Sequence, residues 1–172
     1  MLRAFKNQLK LMAMDPADSF IEHLSRRGGE ADAARHEQAL RNMILMMPEM
    51  LTQIRAWMVE PGMSAELRKL QEFVLTYLYH PKDIIPEDHN GLFGYLDDAL
   101  LVSLAFQRTL TERRGLGYDS SMEREMAEQL PDWLKHAREV IPREAEQVER
   151  MLDELLLGKT RLFEDVMGGV RQ

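Results

Sequence analysis

Apolar side chains recur at three- and four-residue spacing over most of this chain. Leu40, Met43, Ile44, Met47, Met50, Leu51, Ile54 and Met58 fall on one stripe, the signature of an amphipathic helix facing a core. Leu67, Leu70, Val74, Tyr77 and Leu78 repeat the pattern after a break at Pro61-Gly62, with Ser64 placed to cap the helix and Glu66 close behind. Leu96, Leu100 and Leu104 continue it through Gln107 to Leu110. No stretch alternates with period two between turn signals, so the expected fold class is all-α.

The last long stripe runs through Met126, Leu130, Trp133, Leu134, Ala137, Ile141, Val148, Leu152 and Leu155, and Pro131 and Pro142 interrupt it. Each proline removes a backbone donor and crowds the preceding turn. About three helical turns separate them, so both kinks would bend a long helix the same way around the bundle. The alternative is a break into shorter helices with a proline at a first helical position. At the other end, helices are expected at about Leu2–Met14 and Pro16–Arg27, with Asp15 capping the second. Gly158 should stop the last helix.

The expectation is a single-domain bundle of about six helices with a kinked long C-terminal helix. Residues 1–29 hold the N-terminal amphipathic helices, 30–158 the bundle, and 159–172 a tail that frays or docks through Leu162, Phe163 and Val166.

Composition narrows the functional classes. At 172 residues, one domain can bury about 70% of its unfolded surface. Apolar residues make up 45% and charged residues 30%, an ordinary globular profile. There is no cysteine, which excludes disulfides, thiolate metal sites and cysteine nucleophiles. A net charge of −7 argues against nucleic acid as a partner, since that requires a basic face. No apolar run approaches the ~18 residues needed to cross a bilayer. A cytoplasmic protein, at most peripheral to the inner membrane, is the expectation.

The densest chemistry lies between His80 and Asp98, which reads HPKDIIPEDHNGLFGYLDD. Pro81 cannot continue the preceding helix, and Pro86 drives Ile85 towards extended backbone. The segment is therefore a compact corner, and Ile84 and Ile85 should tuck into the core. Here the chain resembles the YkvA-like family, small bacterial helical domains of unknown function labelled DUF1232. The family pattern is an apolar helix, a Pro-x-Asp-x-Ile-Pro-Asp turn, and a Gly-Tyr-x-Asp-Asp start to a second apolar helix. It is carried here by Pro81-Lys82-Asp83-Ile84-Ile85-Pro86 followed by Glu87-Asp88, and by Gly94-Tyr95-Leu96-Asp97-Asp98. The resemblance spans about residues 59–110. It departs in the connection Glu87-Asp88-His89-Asn90-Gly91-Leu92-Phe93, which is more polar than the family's and longer by one residue, so the second acid corresponds to Glu87 or Asp88. The family has no established activity, and the resemblance implies a fold and a motif but no reaction.

Two readings of the corner stand side by side. If the turn folds back on the next helix, Asp83, Glu87, Asp88, Asp97 and Asp98 could bind a hard divalent cation, and His80 or His89 would admit a softer one. Alternatively, the acids serve structure: Asp97 and Asp98 in a first helical turn suit the helix dipole, and Asp83 can bridge its own turn. His23, His36 and His136 neighbour polar residues and read as solvated. No phosphate loop, nucleophile elbow or catalytic constellation is present.

Two further features bear on partners. The chain has 13 methionines, and Met43, Met46, Met47 and Met50 around Pro48 suit either an irregular core or an adaptable groove, with Met46 off the main stripe. Leu2, Phe5, Leu9 and Met12 form one face of the first helix and Arg3, Lys6 and Lys10 another. That pattern fits weak contact with an anionic membrane surface through Leu2, Phe5 and Leu9, or docking on the acidic C-terminal helix. A protein interaction or scaffold module, acting through a partner or self-association, is the leading expectation. A metal-dependent hydrolase or metal-binding protein is its rival.

Overall fold

The computed structural model describes residues 2–79, 84–86, 90–113 and 120–158. Among them the chain forms seven α-helices and no strand: α1 (Leu2–Met14), α2 (Phe20–Gly28), α3 (Glu30–Met58), α4 (Ala65–Tyr77), α5 (Leu96–Arg113), α6 (Ser121–Val140) and α7 (Pro142–Leu156). A short 3-10 helix, Gly91–Tyr95, leads into α5. The all-α bundle expected from periodicity is what forms. The tail from residue 159 lies outside the described residues, so the expected docking of Leu162, Phe163 and Val166 does too.

Helix α5 is the axis. Every residue from Leu92 to Phe106 is buried, because α3, α4, α6 and α7 pack around α5. A helix wrapped on all sides shows no single apolar stripe, which is why Leu96, Leu100 and Leu104 understated its burial. Helix α3, at 29 residues, is about 43 Å long and packs against α1, α2, α4, α5 and α6. Its buried stripe matches the sequence pattern down to Ile54, but there the buried side chain is Trp57, with Met58 only partly covered. Met43, Met47 and Met50 are fully buried, and Met46 packs partly buried against the core. These thioethers fill the space beside Pro48.

Several boundaries differ from expectation, each for a local reason. α2 begins at Phe20 rather than Pro16. Asp15 accepts from the Ala17 amide at 2.9 Å and so closes a turn instead of capping the helix. The C-terminal segment is two helices: Ile141 leaves helical geometry at φ −123° and ψ 58°, and Pro142 takes the first position of α7. Pro131 stays inside α6. Ser64 caps α4 by accepting from the Leu67 amide. α6 opens with a reciprocal capping box between Ser120 and Glu123.

The apolar face of α1 turns inward. Leu9 is fully buried, and Leu2, Phe5 and Met12 pack partly buried against the core. Lys6 pairs with Glu49 of α3, so α1 docks on α3 and not on the acidic C-terminal segment. That segment is met instead by arginines of other helices: Arg27 with Glu144, Arg35 with Glu139 and Arg108 with Asp153. Among the described residues no helix is long and apolar enough to cross a membrane.

This architecture puts the sensitive positions on α5. Leu100→Ala, at a fully buried site, should lower unfolding free energy by about 2–5 kcal/mol. Leu11→Ala, 71% exposed on α1, should change it by less than about 0.5 kcal/mol. Urea unfolding of the two variants measures both.

Candidate functional site

The corner between α4 and α5 is closed by one carboxylate. Asp97 stands in the first turn of α5 and is completely buried. Its Oδ2 accepts from the backbone amides of Ile84 at 3.0 Å and Ile85 at 3.1 Å, and from the Tyr77 hydroxyl at 3.3 Å. Thus the last turn of α4, the Ile-Ile turn and the start of α5 meet at one oxygen. Two amides adjacent in sequence can point at a single acceptor only where the backbone is bent. Pro86, which restricts Ile85, helps to impose that bend. Buried charge is tolerable here because the charge-assisted donors and the positive end of α5 replace water. Ile85 is buried and Ile84 partly so, as the corner's apolar residues were expected to be.

Asp97 reaches back from the first turn of α5 to hold the amides of the preceding turn. Asp98 follows it in the same turn and is also buried. Asp83, Glu87 and Asp88 lie outside the described residues, as do His80 and His89. Among the described residues no three histidine, aspartate or glutamate side chains are grouped to hold a metal ion.

The N-terminal helices brace the corner from the other side. Asp18, in the turn before α2, accepts from the Leu92 amide at 3.0 Å and lies 3.6 Å from Arg41 of α3. Phe93 receives the His23 ring in a stacked arrangement at 5.2 Å and the Arg27 guanidinium at 5.4 Å. Gln8 of α1 donates to the Tyr95 hydroxyl at 3.0 Å. Gly91 has φ +55°, and a Cβ there would stand 2.4 Å from Asp18 Oδ1. Glycine is required at this position both by backbone conformation and by the approach of that carboxylate.

Sequence reasoning missed three polar groupings. Asp18 gave no periodic signal, since its role depends on a residue far along the chain. Glu123, one of the acids of the C-terminal segment, is buried and accepts from Trp57 Nε1 at 3.2 Å; the Ser120-x-x-Glu123 spacing before an apolar run is the available clue. His36 and His136 were read as solvated. Instead His36 is only 4% exposed, and the two Nδ1 atoms lie 2.7 Å apart between α3 and α6. His36 sits four residues before Leu40, on the buried stripe itself, which was the clue there.

These contacts make separable predictions. Asp97→Ala should strand the Ile84 and Ile85 amides, at a cost of about 1–3 kcal/mol for each. If its role is to hold the turn, the loss in urea unfolding will be the same with and without EDTA. Gly91→Ala should cost more than the about 1–2 kcal/mol of a left-handed alanine, because the Asp18 contact must also give way. Combined with Asp18→Ala, the added cost of Gly91→Ala should shrink, and a double-mutant cycle in urea measures the difference.

Comparison with known proteins bears on the same segment. No curated protein and no solved structure matches the chain. Residues 73–104 match the family model described as a protein of unknown function, DUF1232. The match starts within α4 and ends within α5, so it contains Tyr77, Ile84, Ile85 and Asp97, the four residues that meet at the buried oxygen. The segment from Phe73 to Leu104 thus matches the DUF1232 family, the family its Pro-x-Asp-x-Ile-Pro and Gly-Tyr-x-Asp-Asp elements resemble.

Proposed function

We propose that this chain is a non-enzymatic interaction or scaffold module whose acidic corner serves to fix the angle between α4 and α5. The observation that supports this reading is the commitment of Asp97: its Oδ2 takes three donors from the fold itself. A carboxylate oxygen that takes three donors, at a fully buried position, is poorly suited to general-base work or to ligating an exchangeable cation. The rigid corner sets the helices that frame a surface groove of about 480 Å³. Leu67, Leu110, Ala127, Leu130 and Leu156 give it an apolar lining, and Glu66, Arg108 and Glu112 add charged groups. Such a surface suits the apolar face of a helix, from a partner or from a second copy.

Elemental analysis of the purified full chain separates this reading from its metal-binding rival. The expected outcome is no divalent metal near stoichiometry and a melting temperature unchanged by EDTA. About one metal per chain, lost to EDTA together with thermal stability, would overturn it. Ala127→Arg, which puts a charge into the groove, should weaken concentration-dependent association or partner cross-linking while leaving the melting temperature near that of the parent. Association and cross-linking that are undiminished in this variant would remove the groove from the proposal.

A further inference from the structure

The α3–α6 seam holds a pair of histidines that the scaffold reading does not use. His36 projects from the buried face of α3 and His136 from α6, and their rings meet edge to face with centroids 4.9 Å apart. The closest atoms are the two Nδ1 nitrogens, at 2.7 Å. The outer nitrogens point to carboxylates: His36 Nε2 lies 3.7 Å from Glu139 and His136 Nε2 lies 3.5 Å from Asp132. Asp32 and Arg35 of α3 are the other charges acting on His36, and Arg35 pairs with Glu139. The next charges along the seam, Arg27 of α2 and Glu144 of α7, pair with each other.

We propose that His36 and His136 form a proton-sharing clasp across the α3–α6 seam, which acidification opens. Two imidazole nitrogens at this separation need one proton between them, donated by one ring and accepted by the lone pair of the other. The neutral pair satisfies this. So does the pair carrying one extra proton, in which both Nε2–H groups face their carboxylates. A further proton has no place, because two Nδ1–H groups would then point at each other across 2.7 Å. The rings must part, and the seam that also carries Arg35 and Glu139 parts with them.

The direction of the pH dependence follows from His36. Burial, and then the charge of His136 and of Arg35, hold it below its ordinary value near 6.5. Between 6.5 and the lowered folded value the unfolded chain binds more protons than the folded one. The stabilisation is therefore complete above about pH 6.5 and is lost as pH falls through the folded value. The Asp32 and Glu139 charges oppose this shift without cancelling it.

The test uses the full chain and the double variant His36→Asn/His136→Asn, whose amides occupy the seam without titrating. In wild-type protein the His36 imidazole signal in NMR should titrate below 6.5. Amide protection in the paired stretches of α3 and α6, taken relative to the unstructured exchange rate at the same pH, should fall over the same window, by up to about tenfold per pH unit below its onset. The melting temperature of the wild type should fall more steeply from pH 7.5 to 5.5 than that of the double variant. If the double variant fails to fold, the wild-type titration and exchange still decide. An unshifted His36 titration together with unchanged amide protection would overturn the clasp. So would zinc chloride, at one equivalent and pH 7.5, raising the melting temperature of the wild type alone, since the pair would then be a metal site.

Discussion

A carboxylate that has left water needs donors from the protein, and in this fold Asp97 draws three of them to a single oxygen. Its three donors come from two places earlier in sequence, the end of α4 and the Ile-Ile turn. The charge can be buried only if the turn is correctly bent, and the turn's amides are satisfied only if the charge is there. That reciprocity makes the corner a cooperative unit. It also explains why an acidic residue can stand at the entrance of the most buried helix in the molecule.

The same logic holds at the other end of α5. Arg113, in the last turn, is buried, pairs with Glu60 and lies 4.9 Å from the centroid of the Trp57 ring. Trp57 in turn donates to Glu123, whose capping box starts α6. The central helix is therefore apolar along its middle and charged at both ends. Asp97 and Arg113 each have the sign that their end of the helix dipole favours, negative at the start and positive at the finish. Each also ties α5 to the connection beside it, Asp97 to the α4–α5 corner and Arg113 to the turn after α3. The axis of the bundle is positioned along its length by apolar packing and fixed in register by these two polar anchors.

What could be read from sequence follows from which interactions are local. Helical periodicity, the Ser64 cap and the stop before Gly158 depend on neighbours within a turn or two, and all are visible in the residues concerned. Burial on every side of α5 is a property of its neighbours, so the stripe through Leu96, Leu100 and Leu104 could reveal only one face. Asp97 was recognisable as important, but its contacts were not, because its donors lie 12 to 20 residues upstream across an irregular turn. Asp18 reaches a residue 74 positions away, beyond any spacing rule. His36 was misread for another reason: its polar neighbours in sequence outweighed its place on the buried stripe, although in a helix the stripe decides burial.

Two of the interior's polar junctions, the corner and the α3–α6 seam, respond to their surroundings in different ways. The corner is held largely by backbone amides, which keep their protons at any physiological pH. The α3–α6 seam is held by imidazoles, the side chains whose charge changes in that range. A fold with both can keep the α4–α5 angle constant while the N-terminal part of α3 loosens against α6. The helices that brace the corner, α1 and α2, also pack on α3, so loosening that seam would reach the corner through Asp18, Arg41 and the aromatic contacts on Phe93 before it reached Asp97.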